Sequence, residues 1–105
     1  MNIEEMRILY AKAQNFIDNW IKLPVNFEKI IQEIDSKYLA NIDEIHFKNS
    51  RITLIWSELD YKVYKVCVTI YFLGKNDILL AEFKYFEDME GNYINNEFYF
   101  FEIYD

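Results

Sequence analysis

The stretch YKVYKVCVTIYFLGKNDILLAEFKYFE, residues 61–87, decides the fold. In 61–73, Tyr64, Val66, Val68, Ile70 and Phe72 alternate with Val63, Lys65, Cys67, Thr69 and Tyr71. A period of two is the strand period, so this segment reads as a long strand with one apolar face. GKND follows, where glycine accepts a positive φ and Asn and Asp bond back to their own backbone, the chemistry of a hairpin turn. ILLAEFKYFE, 78–87, resumes the alternation, with Leu79, Ala81, Phe83 and Tyr85 inward and Glu82, Lys84 and Phe86 outward. Two alternating runs joined by a short turn predict an antiparallel hairpin inside a sheet.

Working upstream, IDEIHF (42–47) reads as a short strand, KNS (48–50) as a tight turn and RITLIWSE (51–58) as a second strand, with LD (59–60) in the next turn. Downstream, DMEGN (88–92) is a turn around Gly91, and NNEFYFFEIYD (95–105) is a fifth strand. There Phe98 to Phe101 are consecutive aromatics, so rings face both ways. The uncharged row Tyr99, Phe101 and Ile103 is the expected core face, which leaves Phe98, Phe100, Glu102 and Tyr104 on the outer face.

Before the strands the period is helical. Ile3, Met6, Leu9, Tyr10, Ala13, Phe16, Ile17 and Trp20 form a broad apolar stripe, and Pro24 closes that helix. Asn26 as N-cap, Glu28 in the first turn, and Phe27, Ile30, Ile31, Ile34 and Tyr38 predict a second helix to about Leu39. The expected architecture is α+β: one domain over 1–105, with two N-terminal helices (1–40) packed on one face of a five-stranded antiparallel meander sheet (41–105). Cystatin-like folds are similar in general plan, with a helix laid on a curved meander.

Composition bounds the function. Hydrophobic residues make up 52% and aromatics 19% of 105 residues, with nine Phe, nine Tyr and two Trp, more rings than a small core needs. Some of them are therefore expected at the surface. Cys67 is the single cysteine, which excludes an internal disulfide and suits a reducing compartment. The opening MNIEEMRILYAKAQ carries Glu4 and Glu5 and no unbroken apolar run, so it does not read as a signal peptide. No run of about 18 apolar residues is present, so a cytoplasmic protein without membrane contact is expected.

The net charge of −7 is concentrated at one end. Residues 82–105 hold Lys84 against Glu82, Glu87, Asp88, Glu90, Glu97, Glu102 and Asp105. Such a field repels nucleic acid and attracts basic protein surfaces. The one basic stretch carries Lys48, Arg51, Lys62, Lys65 and Lys75 between 48 and 75, and lysines guarding a strand edge explain it as well as nucleic-acid contact does.

Signatures of catalysis are missing. His46 is the only histidine, too few for an imidazole or thiolate metal site, and no Asp-rich loop with its glycine appears. Cys67 sits mid-strand, where a packed thiol is the expected role. Ser36, Ser50 and Ser57 lie outside any GxSxG context, and two glycines, Gly74 and Gly91, cannot build a phosphate-cradling loop. Glu82 and Glu102, placed on one face among rings, leave sugar binding as an alternative, but an open sheet face offers no pocket to raise a carboxyl pKa. No enzyme activity, cofactor or metal is expected.

These features lead to a small acidic inhibitor or antidote whose C-terminal strands cap a basic partner: a nuclease, a toxin or a nucleic-acid-guided effector. In size and charge the chain resembles toxin-immunity and phage anti-defence proteins, anti-CRISPR proteins included. Glu87, Asp88, Glu90, Glu97 and Glu102 are the expected charges, with Phe86, Phe98, Phe100 and Tyr104 as aromatic anchors. The alternatives are a self-associating domain, homodimeric through the outer sheet face, or a small-ligand domain.

Overall fold

The structure, a computed structural model, describes residues 1–102. It is α+β, with helices α1 (Ile3–Ile21) and α2 (Pro24–Glu33) ahead of strands β1 (His46–Trp56), β2 (Tyr64–Leu73), β3 (Leu79–Asp88) and β4 (Tyr93–Phe100). The strands form one antiparallel sheet in the order β1-β2-β3-β4. Among the described residues, no helix is long and apolar enough to cross a membrane.

The sheet has four strands where five were expected. IDE is not strand but a 3-10 turn, Ile42–Glu44, because Asn41 and Glu44 close a capping box: Glu44 accepts from the Ala40 and Asn41 amides at 2.8 and 2.9 Å. The expected KNS turn lies inside β1, where register shifts between Asn49 and Arg51, so Ser50 is a bulge in one continuous strand.

In α1, Asn2 caps the start by accepting from the Glu5 amide at 2.8 Å, and Leu9, Ala13, Ile17 and Ile21 are buried. Met6 and Ile3 of the expected stripe stay exposed. α2 begins at Pro24 rather than Phe27, since a proline at N1 gives up an amide that has no helical partner. Asn26 therefore does not cap α2; its side chain donates to the Trp20 carbonyl at 2.9 Å and ties the two helices together. The helix stops at Glu33, where Ile34 turns extended, short of the expected Leu39.

The helix layer and the inner sheet face share one core. Val66, Val68, Ile70 and Phe72 of β2 and Ala81, Phe83 and Tyr85 of β3 face Leu9, Ala13, Ile17, Ile30 and Leu39. Leu79 breaks the expected β3 row: a bulge there pairs it with Leu73 and turns Leu80 into the core instead. Gly74 closes the β2–β3 connection against the chain after α2. A Cβ there would lie 2.4 Å from the Tyr38 carbonyl, which accepts from the Lys75 amide at 2.8 Å.

Candidate protein-contact surface

The β3–β4 hairpin carries the sequence-predicted site, and a single residue rearranges it. Glu87 pairs with Tyr93 but Phe86 pairs with Asn95, so Ile94 is an extra residue in β4. An extra residue reverses the facing of everything after it. Phe98 pairs with Phe83 and Phe100 with Ala81, both on the inner face, while Tyr99 pairs with Glu82 and turns outward. The expected facing of this strand is thus inverted.

The consequences are concrete. Phe98 stacks on Trp20 at 5.0 Å and meets Phe83 at 5.0 Å and Phe72 at 5.9 Å, so it is a core ring and not a surface anchor. Phe16 reaches from α1 to Phe83, Tyr85 and Tyr93, which roofs the β3–β4 half of the sheet with rings rather than backbone. Phe100 stacks on Phe98 at 5.9 Å at the rim of that layer and stays partly exposed. Tyr104 lies outside the described residues.

Glu87 also leaves the predicted surface. It faces α1, is 3% exposed, and its carboxylate takes the Lys12 ammonium at 2.9 Å and the Tyr85 hydroxyl at 3.0 Å. Lys12 donates onward to the Gly91 carbonyl at 3.3 Å, so α1 is latched to the β3–β4 turn. Burial, then the Glu87 carboxylate, pushes the Tyr85 hydroxyl up to about 12. Asp88 organises the turn, accepting from the Glu90 and Asn92 amides at 2.9 Å each. Backbone hydrogen bonds, the Asn92 amide first, hold its carboxyl below the usual range. Gly91, at φ 90, supplies the left-handed residue that lets the chain return.

The outer face is tiled by charge over apolar groups. Phe86 is buried beneath the Lys65 ammonium, 5.2 Å from its ring centre, and Lys84 sits 5.2 Å above Tyr99. Arg51 pairs with Glu82 at 3.0 Å. Cys67 and Thr69 are buried under this layer, and desolvation raises the Cys67 thiol above its ordinary range. Among the described residues, no group of three His, Cys, Asp or Glu could hold a metal ion.

Of the predicted acids, Glu90 at the turn and Glu97 on β4 stay outward and Glu102 beyond the strand is exposed; Tyr99 faces out beside Glu97, with Phe100 and Phe101 partly exposed at the rim. The Tyr99 hydroxyl donates to Glu97, and that carboxylate raises the Tyr99 hydroxyl above its ordinary range. Among the described residues β4 pairs only with β3, so it is an edge strand. The opposite edge, β1, carries Lys48, Arg51 and a bulge, the usual guards; residues 93–102 contain no lysine, arginine or proline. No protein-family model, curated protein or solved structure matches this chain.

Proposed function

We propose that the chain is a non-enzymatic protein-binding module: a small acidic inhibitor or antidote that masks the basic, nucleic-acid-binding surface of a nuclease, toxin or nucleic-acid-guided effector. This is the role of toxin-immunity and phage anti-defence proteins of the anti-CRISPR kind. The observation that carries the reading is the edge strand β4, which has no lysine, arginine or proline, where Tyr99 and Phe100 are 48% and 38% exposed beside Glu97, with Phe101 just beyond it at 39%. Rings that are half-buried already have lost rotamer freedom and bind at low entropic cost, while carboxylates steer a basic partner and take the places of phosphates. An open edge adds main-chain hydrogen bonds as a further source of affinity. The contact set is Glu90, Glu97, Tyr99, Phe100, Phe101 and Glu102, with Asp88 shaping the turn beside it.

The test is competition. A panel of nucleases and nucleic-acid-guided effectors is loaded with fluorescent DNA or RNA, and release is followed by anisotropy as the protein is added. The reading expects release from at least one target, abolished by Glu97→Gln combined with Tyr99→Ala. Release that is unchanged in that variant, or no release from any target, contradicts it.

A further inference from the structure

An exposed apolar surface lies at the other end of the sheet from the Tyr99–Phe100 rim, where the β1–β2 connection (57–63) meets the Ile94 bulge. Ile55, Trp56, Val63, Tyr64 and Ile94 line a hollow of about 390 Å³ there, with Lys65 and Asp88. Trp56 packs on Tyr64 at 4.8 Å yet remains 53% exposed. The loop beyond is built, not slack: Ser57 Oγ accepts from the Leu59 and Asp60 amides at 3.2 and 3.3 Å, and the Ser57 amide donates to the Val63 carbonyl at 2.8 Å. That geometry holds Leu59 out at 99% exposure, with Tyr61 at 78%.

We infer that this tip is a homodimer interface, occupied by the same tip of a second copy of the chain across a two-fold axis. Two observations select that occupant. The first is area. With side-chain surfaces of about 150–250 Å², the exposed parts of Ile55, Trp56, Leu59, Tyr61, Val63 and Ile94 give roughly 600–700 Å². This is more than a monomer usually leaves open and approaches the share of about 800 Å² that each partner gives to a standard stable interface. The second is charge. Across 54–66, Glu58 and Asp60 are balanced by Lys62 and Lys65, and Asp88 in the lining leaves one excess negative charge, so two copies meet here at a much smaller like-charge cost than the seven acids against Lys84 in residues 82–105 would impose. A basic partner gains little from this tip, and a second copy loses little. The dimer contact is thereby moved from the outer sheet face, where cations already cover the rings, to the sheet end. The β4 rims of both copies then remain open, so the inference stands whether or not the proposed inhibitor function holds.

The experiment is sedimentation equilibrium on the full chain at on the order of 100 µM, above the micromolar Kd expected for an interface of this size. The expected mass is twice the 12.9 kDa of the chain. Leu59→Asp combined with Tyr61→Asp, both on an exposed loop, is expected to give monomer with an unchanged circular dichroism spectrum, and Tyr99→Glu is expected to leave the dimer intact. A wild-type monomer overturns the inference, and so does a monomer that instead cosediments with neutral phosphatidylcholine vesicles. A dimer that survives the double substitution, or one dispersed by Tyr99→Glu, overturns it as well.

Discussion

The Lys12–Glu87 latch makes the sharpest energetic prediction, because its two partners are unequal. The Glu87 side chain is 4% exposed and the Lys12 side chain 41%. Removing the lysine strands a buried carboxylate with only the Tyr85 hydroxyl; removing the carboxylate's charge lets the lysine turn into water. Breaking a fully buried pair costs about 3–5 kcal/mol. With one partner well exposed, screening cuts this to about 1.5–2.5 kcal/mol for Lys12→Met. Glu87→Gln keeps an acceptor for Tyr85 and is expected to cost only about 0.5–1 kcal/mol. The double variant is expected to be more stable than Lys12→Met alone, since no buried charge is left unpaired. Urea unfolding reads this directly through Trp20, which stacks on the core ring Phe98. At a slope of about 1–1.5 kcal/mol per molar, Lys12→Met shifts the midpoint down by roughly 1.5 M. Equal costs for the two single variants, or strictly additive costs in the double, refute the reasoning.

Three further outcomes follow from the same geometry. Phe98→Ala, which empties an inward position, is expected to cost about 2–3 kcal/mol in urea unfolding, while Tyr99→Ala leaves the midpoint near wild type; the reverse order contradicts the facing of β4. The folded Asp88 carboxyl is depressed, so its contribution is present above the unfolded pKa and lost as pH falls through the folded value; Asp88→Asn keeps the turn acceptor, so the stability gap to wild type is expected to narrow as pH falls below the ordinary aspartate pKa of about 3.9. The Tyr85 hydroxyl is raised to about 12, so its contribution is complete below the ordinary tyrosine pKa of about 10 and vanishes as pH rises through 12. Absorbance titration of Tyr85→Phe is expected to lose the most alkaline phenolate step, and loss of an early step instead counts against a buried hydroxyl.

The sequence reveals much of the hairpin and little of its final strand. The faces of β2 are legible because apolar and polar residues alternate; the place of the turn at GKND is legible too, but its left-handed residues are Asn76 and Asp77, both at φ 58, and not Gly74, at φ −105. In β4 the run Phe98 to Phe101 carries no alternation, so facing depends on register, and register depends on whether Ile94 is paired or extra. No local pattern announces that bulge. Counting Ile94 as paired puts Tyr99 and Phe101 inward, as the sequence alone suggested; counting it as extra puts Phe98 inward. Glu87 was misplaced for another reason: charge predicts solvent, and only the fold brings Lys12 and Tyr85 to neutralise it. The capping box at Asn41 and Glu44 was readable in principle, since an Asn followed three residues later by Glu is a helix-start signature. The apolar tip had a signal too, in Trp56, Leu59 and Tyr61 flanking a predicted turn, but it was eclipsed by the aromatic run at the end of the chain.

The central claim is that the outward side of β4 meets a basic protein partner. Affinity for a target found in the competition assay, measured between about 50 and 300 mM salt, tests it most directly. The account predicts that wild-type binding weakens by an order of magnitude or more across that range, and that Glu97→Gln with Tyr99→Ala removes both most of the affinity and most of the salt dependence. Binding that is indifferent to salt, or that survives the double substitution unchanged, contradicts it.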